Sequence, residues 1–256
     1  MEYPIGSPVM STARKPLQRV LLKLSGEAFA GGESFGLDPA TVGEIADEIV
    51  QVHNAGVETA VVAGGGNFIR GVAFSREGGM DQAIADQMGM LGTVMNCLAL
   101  QDAVEKRGVP ARVMSAISVQ QLCETFIRRR ALRHLEKRRI VILASGTGNP
   151  FFTTDTAAAL RAVELGCEAL IKCTKVDGVY DQDPKLHAGA TRYAEVTYDE
   201  AIAKRLGVMD PTAFTMCQEH DMPIIVLSIY EKGGMLAAVK GEPIGTLVGG
   251  REWSKT

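Results

Sequence analysis

The stretch that decides the fold is IVILASGTGNPFFTTD, residues 140–155. An apolar, β-branched run ends abruptly in Ser145-Gly146-Thr147-Gly148-Asn149. Pro150, two Phe and two Thr follow, and Asp155 heads the alanine-rich TAAALRAVEL. This reads as a buried strand that breaks into a loop of small residues and hydroxyls and then empties into a helix N-terminus. Such a junction aims backbone N–H groups and a positive helix end at one place, which suits a phosphate. With Thr153 or Thr154 as N-cap and Asp155 in the first turn it is also an ordinary strand–loop–helix junction. Capping does not explain the consecutive Phe151 and Phe152, which need packing or a ligand to cover, and a flat base is one such partner.

Outward from this stretch, strand and helix signals alternate, which predicts a mostly parallel sheet with helices on its faces. Residues 19–24 read as the first strand. Asp38-Pro39 starts a helix, and Val42, Ile45, Ile49 and Val52 keep helical spacing until Gly56. A second strand at 57–63 is stopped by Gly64-Gly65-Gly66-Asn67. A long helix at 81–107 carries Ile84, Met88, Leu91, Met95 and Leu98 on one stripe. A strand at 112–117, helical sequence to about 137 and the 140–144 strand follow. In the second half, strands are expected at 169–173, 224–228 and 246–248. Helices are expected at 199–206, at 211–220 and just after Gly233-Gly234. Asp177-Gly178 predicts a hairpin or tight turn, and Asp183-Pro184 opens a loop. Residues 1–16 read as a flexible extension. Residues 17–256 read as one domain with lobes at about 17–166 and 167–250.

Composition narrows the classes. The chain has 256 residues, 46% of them hydrophobic, enough for a substantial core. A net charge of −3 argues against a general polyanion binder, and 5% aromatic content argues against single-strand stacking platforms. No apolar stretch reads as a membrane span, and the N-terminus lacks the apolar core of a secretory signal. Five scattered cysteines without CxxC, far from four isolated histidines, predict no zinc site and no disulfide framework. The basic run Arg128-Arg129-Arg130, continued by Arg133, Lys137, Arg138 and Arg139, spreads over more than one helix face. It reads as solvated or subunit-contacting, with nucleic acid as the lesser option.

Three further segments carry candidate chemistry. Lys23-Leu24-Ser25-Gly26-Glu27 follows the first strand, where a Lys beside Ser and Gly can place an ammonium among phosphate oxygens or stay a solvated edge residue. A Walker A motif is absent. Gly64-Gly65-Gly66-Asn67-Phe68-Ile69-Arg70-Gly71 lets backbone approach a ligand, with Arg70 able to fork onto a phosphate. Residues 172–184 mix Lys, Asp and Tyr180 after a strand, as a nucleotide site or a solvated turn would.

Taken together, KLSGE at 23–27, GGGNFIRG at 64–71, ADQMGMLGTVMN at 85–96, GTGNPFFTTD at 146–155 and TKVDGVY at 174–180 resemble the bacterial uridylate (UMP) kinases of the amino acid kinase superfamily. The resemblance runs collinearly from about 19 to 248. It implies an α/β/α three-layer sandwich around a mainly parallel eight-stranded sheet. It also implies phosphoryl transfer from ATP with Mg²⁺ to UMP, in a cytoplasmic homohexamer of pyrimidine biosynthesis. Lys23, Arg70 and Asp155 would be catalytic. Lys23, Leu24, Ser25, Gly26, Gly66, Arg70, Thr174, Tyr180 and Asp183 would bind ATP. Gly65, Asp86, Thr147, Gly148, Asn149, Pro150, Phe151, Phe152, Thr153 and Thr154 would bind UMP. Gly31, Gly32, Glu33, Ser34, Phe35 and Gly36 fall where relatives bind an activating GTP, although AGGESFG is only partly like the usual pattern. UTP would inhibit. No protein metal site is implied, since Mg²⁺ rides on the nucleotide phosphates. The alternatives are another small-molecule kinase of the superfamily and a nucleotide- or anion-binding protein without turnover.

A phosphate acceptor fits the lack of a plausible catalytic His. The second pKa of a phosphate monoester is about 6, so the attacking oxygen is already largely ionised at pH 7 and needs no general base. The difficulty is to bring two anions together and hold them in line.

Overall fold

The computed structural model describes residues 14–69, 79–184, 186–187 and 189–249. Its first strand, β1 (Arg19–Leu24), shows how the layers arise. Val20, Leu22 and Leu24 point to one face and Leu21 to the other, and all four are fully buried. A strand apolar on both faces belongs in the middle of a covered parallel sheet. Beside it lie β2 (Glu58–Ala63) and β6 (Ala169–Thr174), both parallel to it. With β3 (Ala111–Ser115), β4 (Glu124–Thr125), β5 (Ile140–Ala144), β7 (Glu195–Val196), β8 (Ile224–Ser228) and β9 (Thr246–Val248), the order is β4-β3-β5-β2-β1-β6-β8-β9-β7. All neighbouring pairs are parallel except β8 with β9. Among the described residues the sheet therefore has nine strands where eight are expected. Two of them, β4 and β7, are two-residue edge strands too short for an alternation signal.

One face is covered by α1 (Pro39–Asn54), α2 (Gln82–Glu105) and α7 (Gly234–Val239). The other is covered by α3 (Arg128–Glu136), α4 (Thr154–Leu165), α5 (Tyr198–Ala203) and α6 (Pro211–Glu219). The Asp38 carboxylate accepts from Thr41 N at 2.9 Å and caps α1, with Pro39 at the first helical position as expected. Because β5, β2, β1, β6 and β8 run parallel, the loops that leave them all open at one edge of the sheet. Ligands of open α/β sheets bind at that edge.

Several expectations need correction. Three residues of the stripe on α2 face outward: Ile84, Leu91 and Met95 are 49%, 51% and 45% exposed, while Leu98 packs partly on the core and Ala85, Met90, Val94, Cys97, Leu100 and Val104 are buried. By length and composition alone this helix would also pass for a membrane span, as a core helix can. Its inner face packs instead on α1, β3 and β5. The helix expected after 117 begins only at Arg128, because residues 124–125 join the sheet. Gly178 does not have the positive φ of a type I′ turn. It is needed for close approach: a β-carbon there would stand 2.6 Å from Thr246 Oγ1. Within the expected extension, Arg14 is buried, and its N–H donates to Gly241 O at 2.7 Å. The basic run, by contrast, stays at the surface as expected: Arg128, Arg129, Arg130, Arg133, Lys137 and Arg138 are exposed. Some of its members also bond within the chain, Arg138 to Gly56 O and His53 O at 2.8 and 2.7 Å at the end of α1, and Arg128 to Glu164 O.

Candidate active site

Lys23 and Lys172 stand at the same register on β1 and β6 and so point to the same face. Asp155, in the first turn of α4, lies between them. Lys23 Nζ is 2.7 Å from Asp155 Oδ1, and Lys172 Nζ is 2.7 Å from Asp155 Oδ2. Lys172 Nζ also donates to Val208 O at 2.5 Å. Two ammoniums and one carboxylate leave one net positive charge in a largely buried cluster. Burial alone would push the Asp155 carboxyl up, but Lys23 and Lys172 together hold it below its ordinary value. Burial pulls Lys172 below its ordinary value, and the like charge of Lys23 works in the same direction against the pull of Asp155.

Beside this cluster the loops after β2 and β5 and the start of α2 enclose a cleft of about 230 Å³. Of the residues expected around UMP, Gly65, Asp86, Thr147, Asn149, Phe152, Thr153 and Thr154 line it, and so does Gly66 from the ATP set. Gly148, Pro150 and Phe151 belong to the same loop but not to the wall. Phe151, at φ 70°, donates its N–H to Asp86 Oδ2 at 2.9 Å, which ties the loop to α2. The Thr153 hydroxyl accepts from Asp155 N and Thr156 N at 3.0 and 3.4 Å and donates to Asp210 Oδ2 at 2.6 Å. Two first-turn amides of α4, those of Asp155 and Thr156, are thus occupied by the cap.

The glycine loops meet backbone to backbone. A β-carbon on Gly26 would stand 2.5 Å from Gly66 N, and one on Gly65 would stand 2.6 Å from Gly89 O. Ser25 and Gly26 lead directly into a short 3₁₀ turn, Gly26–Ala30. Arg70 lies outside the described residues.

On the other side of β1, Thr174 ends β6 and its carbonyl accepts from Ile229 N at 2.8 Å. The Tyr180 hydroxyl donates to Asp177 Oδ1 at 2.7 Å, and Tyr180 pairs with Arg192 in an isolated antiparallel bridge. Asp183 lies in the loop beyond, where its carbonyl accepts from His187 N at 2.9 Å. The strand order therefore seats Lys23 between the cleft and the 174–183 segment. Leu24 continues β1 as a core residue. Gly31, Gly32, Glu33, Ser34, Phe35 and Gly36 do not line the cleft. They touch its glycine loop through Asn67, whose Nδ2 donates to Gly36 O at 2.7 Å, and through Phe35 edge-on to Phe68 at 5.7 Å.

Sequence reasoning missed two residues. In the sequence Lys172 reads only as part of a charged stretch; its signal is a lone charge inside an apolar strand. Asp210 caps α6 and holds the hydroxyls of Thr153 and Thr156; its signal is the Asp-Pro helix start. Among the described residues no three His, Cys, Asp or Glu side chains cluster to hold a metal. Both Asp155 oxygens lie against lysines, so the donor set builds no metal cage.

A model of the amino acid kinase family matches residues 18–228. The chain is 52% identical to the uridylate kinase of Dichelobacter nodosus, over 93% of this chain and 99% of that one. It is 53% identical to the uridylate kinase of Xanthomonas euvesicatoria pv. vesicatoria, over 91% and 97%. The crystal structure of UMP kinase from Bacillus anthracis matches with a TM-score of 0.89 at 35% identity, over 92% of this chain and 97% of that one. That of UMP kinase from Ureaplasma parvum matches at 0.86 and 33% identity, over 93% and 100%.

Proposed function

The chain belongs to the amino acid kinase family, and from that premise we propose that it is a UMP kinase, transferring the γ-phosphoryl group of ATP to UMP to give ADP and UDP. The observation that carries the reading is the Lys23–Asp155–Lys172 cluster, seated between a nucleotide-sized cleft and the segment expected to hold ATP. UMP lies in the cleft, with Asp86 toward its ribose and the 147–154 loop around its base. ATP lies over β6 with Thr174, Tyr180 and Asp183 at its base and ribose. Leu24, Ser25, Gly26 and Gly66 line the phosphoryl path, and Arg70 joins them there.

The phosphate oxygen of UMP attacks already ionised, so the protein's task is charge and alignment. At about 4 Å each pair of like unit charges costs roughly 4 kcal/mol at an effective dielectric near 20. Lys23 and Lys172 offset that repulsion, and Asp155 holds both ammoniums at fixed points before substrate arrives. Mg²⁺ bound to the phosphates of ATP would neutralise part of their charge, with the nucleotide and not the described side chains holding it.

The same reading extends to the assembly. The exposed Ile84, Leu91 and Met95 of the α2 stripe support burial against a second copy, in keeping with a homohexamer. GTP activation at residues 31–36, inhibition by UTP and a cytoplasmic place in pyrimidine biosynthesis complete the proposal. A coupled ADP-release assay with UMP, CMP and acetylglutamate tests it. ADP formed with UMP is the expected result. Turnover of acetylglutamate in its place, or saturable nucleotide binding without ADP, overturns it.

A further inference from the structure

Beneath the cleft, Asn67 and Asn96 face each other, 1% and 0% exposed. Their amides form a closed ring: Asn67 Nδ2 donates to Asn96 Oδ1 at 2.9 Å, and Asn96 Nδ2 donates back to Asn67 Oδ1 at 2.8 Å. Each amide spends its second N–H on a glycine carbonyl. Asn96 donates to Gly64 O at 2.6 Å, and Asn67 donates to Gly36 O at 2.7 Å. The backbone adds Gly36 N to Asn67 O at 3.0 Å. All four amide hydrogens are used, so either side chain rotated or removed strands its partners in a dry interior, where an unmade hydrogen bond is expensive.

The two carbonyls belong to different loops. Gly64 opens the glycine turn whose Gly65 and Gly66 line the cleft, while Gly36 closes the loop that begins at Gly31. Asn96 sits on α2, ten residues beyond Asp86. Main-chain contacts hold part of the turn, with Gly64 N donating to Leu24 O at 2.9 Å, and the Asn96 amide fixes the Gly64 carbonyl on the other side.

We infer that the Asn67–Asn96 amide pair is a positioning device. It sets the glycine turn of the acceptor cleft and locks that turn to the 31–36 loop and to α2, so that a displacement of one moves the others. This rests on the reading of the cleft as the UMP site. Neither residue lines the cleft. Their effect on turnover is therefore exerted through Gly65 and Gly66.

The test compares Asn96→Ala with Leu100→Ala in the full chain. Leu100 lies one turn further along α2, fully buried in the core and outside the ring, so its truncation destabilises without touching the clamp. Backbone hydrogen exchange is followed in segments 31–37 and 64–69, together with Tm and KM for UMP and for ATP. For Asn96→Ala the expected result is faster exchange in both segments and a rise of about tenfold in the KM for UMP, larger than any change for ATP. Leu100→Ala should lower Tm and leave both segments and both KM values at the parent level. Asn67→Ala should reproduce the exchange pattern of Asn96→Ala. Equal behaviour of Asn96→Ala and Leu100→Ala, or acceleration in one segment alone, overturns the inference. If the parent makes no ADP with UMP, the functional reading falls, and the exchange data still decide whether the ring couples the two loops.

Discussion

The two sides of β1 are built on different terms. On the cleft side, loops after β2 and β5 are braced from below by buried groups: the Asn67–Asn96 ring, Ser145 N donating to Thr93 Oγ1 at 2.7 Å, and Ser115 Oγ against Ser145 Oγ at 2.8 Å. On the other side, one buried bond, Val179 N to Thr246 Oγ1 at 2.9 Å, fixes the base of the segment after β6, and beyond it the contacts are half-exposed pairs such as Arg192 with Asp177 at 3.4 Å and Tyr180 with Asp177. Buried hydrogen bonds are costly to break, whereas exposed ion pairs contribute little. On the proposed reading, the acceptor side is then the more firmly braced of the two, and the donor side keeps more of its holding contacts at the surface. Lys23 stands where the two meet.

The largest expected effect tests that pivot. Asp155→Asn keeps the shape but removes the charge that orders both lysines, and should lower kcat about 10²–10³-fold by steady-state assay. A change confined to the KM for UMP would assign Asp155 to the acceptor side alone and break the comparison. Next comes Gly65→Ala, whose methyl group would meet Gly89 O and Thr93 N. It should cost about 1–3 kcal/mol of stability in chemical unfolding and raise the KM for UMP far more than that for ATP.

The third expectation concerns pH. Lys172 loses its proton below the ordinary lysine value of 10.5 because it is buried. The alkaline fall of kcat should start below that value, and Lys172→Arg should shift it upward, since guanidinium stays charged. Stability has the signs that follow. The protonated Lys172 is disfavoured by the fold, so its cost is present at low pH and relieved as pH rises through its lowered pKa. Asp155 stabilises above the unfolded carboxyl value of 3.8 and loses that contribution as pH falls through its depressed folded pKa. The smallest effect is expected from Tyr180→Phe, which removes one half-exposed hydrogen bond to Asp177. A change of about two- to threefold in the KM for ATP, with Tm unaltered, would sharpen the contrast with Gly65→Ala.

How far the sequence led differs on the same two sides. The ends of β1, β5 and β8 and the Asp38-Pro39 start of α1 were legible because hydrophobic runs and caps are local signals. The stripe on α2 was legible as a helix but not as an outward face, because Ile, Leu and Met look alike whether they meet a core or another surface. The ring of Asn67 and Asn96 joins residues 29 apart and leaves no local mark. Lys172 could not be matched to Lys23 without the register of β1 on β6, which is a pairing between strands nearly 150 residues apart in sequence. Asp177-Gly178 misled because its glycine answers a packing demand from Thr246, not a turn.

The seam where Gly26 rests on Gly64 and Gly66 has one more consequence. Main chain pressed on main chain offers selection no side chain to vary, so this part of the protein is frozen. If the cleft takes the acceptor as proposed, new preferences would be written at side chains of its wall such as Phe152, Thr147 and Asn149, where the atoms are replaceable.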